Sequence, residues 1–147
     1  MSGEEIIHTT YKHMEVPGKI ASVRNSLSQN QPVIIVKEKQ INEKINHEVT
    51  VYHLKRDLKS VGLAFSFRHN DQTVFSVVDG DDVKLEMKPD VKTACSDENC
   101  LFQWHEKMGE WGILKSVAEP QKYLCIVNNK ITVGPLEKNV KFRLTSK

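Results

Sequence analysis

The chain says nearly the same thing three times. "GKIASV" runs from 18 to 23, "GLAFSF" from 62 to 67 and "GILKSV" from 112 to 117. Each is Gly, three residues, Ser, then Val or Phe. Gly and Ser placed at random at their abundance here would give about half of one such pair, whereas a phrase recurring at a near-fixed spacing is the mark of a repeat architecture. The spacings are 44 and 50 residues. Each copy ends in a residue that favours strands.

The rhythm continues beyond the phrase. A second apolar run follows each copy: "PVIIV" from 32, "TVFSVV" from 73 and "KYLCIV" from 122. The last two runs end at Asp79-Gly80 and Asn128-Asn129, pairs that tolerate left-handed backbone and so mark tight turns. A third run follows those turns, "DVKLEM" from 82 and "KITVGP" from 130; its counterpart in the first unit is blurred within "KEKQINEKIN". A fourth run closes each unit: "VTVYHL", "LFQWHE" and "VKFRLT". Alternation with period two, as in Val140, Phe142 and Leu144, predicts strands, and no stretch keeps a helical period for three turns. "DLKSVGL" and "SDENCLF" allow one helical turn each.

Four strands in each of three units predict an all-β chain of about twelve strands arranged as a β-trefoil, with six strands closing a barrel and hairpins capping it. Closure would remove exposed strand edges. The expected domain covers 18–147, with Gly18, Gly62 and Gly112 at equivalent places, and residues 1–17 form a mobile N-terminal tail outside the repeat. The repeated Gly and Ser are read as structural. The units differ most at 55–61, 88–100, 105–111 and 134–139, so function is expected in those connections.

The 147 residues suffice for one domain with a real core. A net charge of +2, from 21 basic and 19 acidic residues, is too balanced to point to nucleic acid. The longest apolar run has four or five residues, far below a membrane span. The opening "MSGEEIIHTTYKHMEV" lacks the basic and apolar regions of a secretory signal, and no Asn-x-Ser/Thr site occurs, so synthesis in the cytoplasm is expected. Cys95, Cys100 and Cys125 are odd in number and fit free thiols. Cys125 is expected in the core, and Cys95 and Cys100 in a more exposed loop.

Little of this reads as catalysis. The six histidines lack metal spacing, "DGDD" lacks the distal Glu of a calcium loop, and no phosphate loop or nucleophile elbow occurs. The reading is a non-enzyme without cofactor or metal. Trp104 lies in a strand and is expected in the core; Trp111, in "GEWG", is either an exposed anchor or a barrel plug.

The stretch "ILKSVAEPQKYLCIVNNKITV" resembles the signature of the interleukin-1 cytokine family. Its places are filled by Leu114, Ser116, Val117, Pro120, Tyr123, Leu124 and Cys125. Ile126 stands where the family usually has Thr, and the stretch that follows is about one residue short. "CLFQWHEKMG", "GKIASVRNSLSQNQPVIIV", "GLAFSF", "DGDDVKLEMK" and "VKFRLTSK" also fall in the family's order, so the resemblance covers 18–147. Features of the interleukin-18, interleukin-1 and interleukin-36 branches are mixed. Where members carry an Ala-x-Asp-like motif this chain reads Ile20-Ala21-Ser22, which leaves processing from that motif open.

The resemblance implies a β-trefoil cytokine, most simply a monomer, released without a signal peptide to act extracellularly. It implies binding to an immunoglobulin-domain receptor ectodomain, followed by recruitment of an accessory receptor chain that triggers inflammatory and immune signalling. A receptor antagonist of the same family, or a heparin-binding trefoil like the fibroblast growth factors, is the alternative. The latter would use Lys138, Lys141, Arg143 and Lys147, which are spread over ten residues. A trefoil lectin would repeat Gln-x-Trp, which is not found. Receptor contacts are expected at Arg24, in the basic cluster Lys55, Arg56 and Lys59, at Trp111, and at Glu137 and Lys138 before the last strand.

Overall fold

The computed structural model describes residues 3–25, 31–38 and 47–146. Within them lie thirteen strands: β1 (Glu4–Tyr11), β2 (His13–Val16), β3 (Lys19–Asn25), β4 (Pro32–Glu38), β5 (Val49–Arg56), β6 (Lys59–His69), β7 (Gln72–Asp79), β8 (Asp82–Glu86), β9 (Phe102–Met108), β10 (Trp111–Ser116), β11 (Tyr123–Val127), β12 (Lys130–Gly134) and β13 (Arg143–Thr145). One short helix, α1 (Val91–Cys95), precedes β9. The protein is all-β, as the period-two runs predict. The blurred third strand of the first unit falls in 39–46, outside the described residues.

Every strand pairing is antiparallel, and the order is β1-β5-β6-β9-β10-β11-β12-β4-β3-β2-β13, with β7 and β8 linking β6 to β12. The path turns back on itself, because Phe142, just before β13, bridges Gly112 of β10. Three two-strand hairpins, β3–β4, β7–β8 and β11–β12, converge: Lys130 of β12 pairs Ile35 of β4, and Thr132 pairs Asp82 of β8. The turns behave as their residues dictate. Asn128 and Asn129 both take positive φ (52° and 61°), the geometry of a two-residue hairpin that Asn tolerates.

The main core gathers one face of nearly every strand, including Phe65, Phe102, Leu114, Ile131 and Phe142. Phe65 and Phe102 meet with ring centroids 5.7 Å apart, a tilted aromatic contact at the centre. The repeated serines, Ser22, Ser66 and Ser116, are all buried. Ser116 Oγ accepts a hydrogen bond from the Glu119 amide at 3.1 Å, a local use of the hydroxyl.

The structure corrects three expectations. First, residues 4–16 are strands rather than a mobile tail. β1 pairs along all eight of its residues with β5, and β2 pairs with both β3 and β13. "IIHTTY" is rich in β-formers, and the ladder to β5 satisfies its backbone. Second, the three glycines do not hold equivalent places. Gly18 sits after Pro17 in the two-residue turn between β2 and β3 with φ +80°, which its missing Cβ permits. Gly62 and Gly112 lie inside β6 and β10, each beside a register shift, and are small because neighbours crowd them.

Third, Cys95 and Cys100 are as buried as Cys125, at 3 %, 0 % and 3 % exposure. The 88–100 segment is no free loop. α1 and a 3₁₀ turn over Glu98–Cys100 fold onto the sheet, where Ala94, Cys95 and Leu101 pack with Leu54, Ala64 and Phe75 in a second core cluster. Asp90 accepts from the Thr93 amide at 2.7 Å and caps α1; Asp97 does the same for Asn99 at 2.9 Å. All three cysteines are free thiols. Burial pushes the Cys95 thiol up to about 11 and the Cys100 thiol to about 12.

Candidate functional site

Strands β1, β5, β6 and β9, with the turn Gly109–Glu110 and Leu144 of β13, surround a hollow of about 650 Å³. Its walls are Ile7, Thr9 and Tyr11 of β1, Val51 and His53 of β5, and Gln103, Trp104 and Lys107 of β9. Gly109 and Glu110 close one side. On β1 and β5 the lining residues alternate as a strand demands, so one face of each looks inward, whereas on β9 the adjacent Gln103 and Trp104 both line the hollow.

Four of the sequence-predicted residues lie on the two hairpins beside this hollow, though none of the four lines it. Lys55, Arg56 and Lys59 ride on the β5–β6 hairpin, whose two-residue turn, Asp57–Leu58, takes φ of 53° and 69°. Arg56 and Lys59 are exposed, and Lys55 is half-buried. Arg56 reaches Glu4 at 3.5 Å, an exposed pair of small energetic weight. The turn is tied to the start of β1 by Asp57 N donating to Gly3 O at 3.0 Å, while Gly3 N donates to Asp57 Oδ1 at 2.9 Å. Trp111 opens β10 and is half-buried beneath the Arg143 guanidinium, 4.6 Å from its ring centroid. It is neither a free anchor nor a plug. Trp104 likewise is half-buried: it packs against the core, lines the hollow and carries Lys107 Nζ at 4.9 Å from its ring.

The other three stand apart. Arg24 is exposed on β3 opposite Val33 of β4. Glu137 and Lys138 are exposed in a 3₁₀ turn, Leu136–Lys138, between β12 and β13. The structure therefore gathers the mouth residues and leaves these on other elements.

Several mouth residues carry no signal in the sequence. Leu58, at a turn tip, is 91 % exposed, and Met108, at the next tip, is 77 % exposed. Met108 stands between the lining residues Lys107 and Gly109, and Leu58 two residues before the lining Ser60. Arg143 is one of the basic residues at the end of the chain. It is engaged instead with Glu15 at 2.5 Å, Glu110 at 3.4 Å and Trp111, which removes it from any free basic stripe.

His53 Nε2 and Ser60 Oγ lie 2.7 Å apart at the hollow's edge. Burial first, and then Lys55, hold the imidazole below its ordinary range, so it is neutral at pH 7. A serine nucleophile needs a carboxylate that favours the imidazolium; the charge acting on His53 is a lysine, which opposes it. The pair reads as a hydrogen bond across a hairpin. The acidic "DGDD" turn is likewise matched by lysines: Asp79 with Lys84 at 2.6 Å, Asp81 with Lys122 at 3.2 Å and Asp82 with Lys130 at 3.1 Å.

No family model matches the chain, and no curated protein matches it significantly.

Proposed function

We propose that the protein is a β-trefoil cytokine of the interleukin-1 class, which binds an immunoglobulin-domain receptor through the barrel mouth and recruits an accessory chain. Support for the trefoil comes from the strand pairing. β1 with β2, β5, β6, β9, β10 and β13 form the ring, and β3–β4, β7–β8 and β11–β12 form three hairpins whose inner strands meet. The units then run 4–56, 59–108 and 111–145, each as barrel strand, hairpin, barrel strand. The first unit begins at β1, not at Gly18.

The observation that carries the functional reading is the pair of hairpin tips next in sequence to residues of the hollow: Lys55, Arg56, Lys59 and exposed Leu58 beside Ser60, and exposed Met108 between Lys107 and Gly109. Exposed apolar side chains interspersed with cations and polar groups are a surface that a protein partner can cover. The phrase "ILKSVAEPQKYLCIV" supports the family assignment. Release without a signal peptide and extracellular action follow from the same resemblance.

The test is a cell reporter carrying interleukin-1-type receptors one at a time. Signal from one receptor pair supports an agonist. Binding that blocks a known agonist without signal identifies the antagonist of the same family. Salt-sensitive retention on heparin with no receptor response would replace the reading with the heparin-binding one.

A further inference from the structure

Each of the barrel's long hairpins has two strands down to its tip. β5–β6 reaches Asp57–Leu58, and β9–β10 reaches Gly109–Glu110. The third position is half built. β13 pairs with β2 as far as Thr145 opposite His13, and β1 continues alone from Tyr11 to Glu4. Among the described residues β1 pairs only with β5 and stands at one end of the sheet.

The phase of this edge is fixed by the pairing. Asp57 N donates to Gly3 O, so Gly3 and, by strand alternation, Glu5, Ile7, Thr9 and Tyr11 turn their peptide groups toward β5. Ile6, His8 and Thr10 turn theirs to the open side. The register is unbroken, and from Ile6 to Tyr11 the edge carries no Lys, Pro, Gly or bulge, the devices that usually blunt an edge. Beside it lies the hollow, into which Ile7, Thr9 and Tyr11 face, with Trp104 and Lys107 across from them.

We propose that an extended segment of a protein partner adds to the free edge of β1 as an antiparallel strand in line with β13, setting every second side chain into the hollow. The backbone edge supplies affinity, and the hollow selects the alternate residues. Ile7, Val51, Leu63 and Leu144 favour apolar insertions, while Lys107 and Glu110 at the rim suit polar neighbours. This goes beyond receptor recognition by the turn tips, because it names a strand as the occupant and holds whichever receptor is used.

The test selects random octapeptides, displayed on phage, against the folded chain and measures amide hydrogen exchange with an enriched peptide bound. The expected peptides alternate apolar and polar residues. On binding they slow exchange at Ile6, His8 and Thr10, whereas Ile7 and Thr9 are already slow in the free protein. His8→Pro removes an outward amide without touching the β5 ladder, and it should weaken binding about tenfold, the loss of one backbone hydrogen bond. Thr9→Trp fills the hollow and should weaken binding by a different route, with the edge amides intact. Enriched peptides that lack the alternation or bind both variants as tightly as the parent would overturn the proposal. So would slow exchange at Ile6, His8 and Thr10 in the free protein that fades on dilution, which would assign the edge to a second copy of the chain.

Discussion

A single glycine shows how much a residue's role depends on what surrounds it. A Cβ added at Gly112 would lie 2.7 Å from Trp104 Cε3 and 3.0 Å from its Cζ3, inside contact distance of a ring held in the wall. Gly62 would meet Leu101 Cβ at 3.0 Å and the Phe102 carbonyl at 3.3 Å. Gly18 has open space but φ +80°. Gly112→Ala should therefore cost about 1–3 kcal/mol through overpacking, and Gly18→Ala about 1 kcal/mol through backbone strain. Urea unfolding of the two variants checks the order; equal losses at both sites would contradict it. The buried thiols make a pH prediction. Their folded pKa values lie above the ordinary thiol value, near 11 for Cys95 and 12 for Cys100. Rising pH thus ionises the unfolded thiols first, and the stability they contribute below pH 9 is lost between about pH 9 and 12. Thermal midpoints measured across that range should fall, and less steeply in a Cys95→Ala, Cys100→Ala variant. Fresh protein should also show neither thiol alkylated at pH 8 until denaturant is added.

The elements show where sequence reading succeeds and where it stops. "TVFSVV", "KYLCIV" and "KITVGP" are strands in the structure because each has a buried face that alternation betrays. β1 is different. Of its eight residues only Ile6 and Tyr11 are partly buried, so no alternation marks it, and its stability comes from a ladder to β5 whose paired residues lie 38 to 52 apart in sequence. The shared Gly-x-x-x-Ser pattern at 18, 62 and 112 misleads for a related reason: a residue string does not say whether its glycine turns a hairpin or lets a ring approach. Likewise, α1 carries little helical signal because its apolar side is only Val91, Ala94 and Cys95, and the two buried ones are small residues that suffice against Leu54 and Phe75. The role of β1 is testable. Ile6 packs against the second cluster, and Ile6→Ala should cost about 1–2 kcal/mol, below the range for a fully buried site. A chemical denaturation midpoint unchanged in that variant would mean β1 contributes nothing to the fold.

At the scale of the whole molecule, two ends do different work. The converging hairpins β3–β4, β7–β8 and β11–β12 bind one end together, with Lys122 and Lys130 tying turns to neighbouring strands. A separate hollow is walled by β1, β5, β6 and β9, and the turn tips that follow its walls along the chain carry cations and exposed apolar side chains. Sequence located the cations of that ring through their closeness along the chain. It missed Leu58, Met108 and the Arg143–Trp111 contact, which exist only once separate hairpins are brought together. The central claim is that this mouth is a receptor interface. It is tested most directly by measuring, on a surface, the affinity of the folded chain and of Arg56→Ala, Lys59→Ala, Leu58→Ala, Arg24→Ala and Lys138→Ala for interleukin-1-type receptor ectodomains. The account predicts binding to at least one ectodomain. It also predicts a loss of about 2 kcal/mol, near thirtyfold, for at least one of the three mouth variants, with Arg24→Ala and Lys138→Ala within about threefold of the parent. Binding to none of the receptors, or losses confined to Arg24 and Lys138, would contradict it.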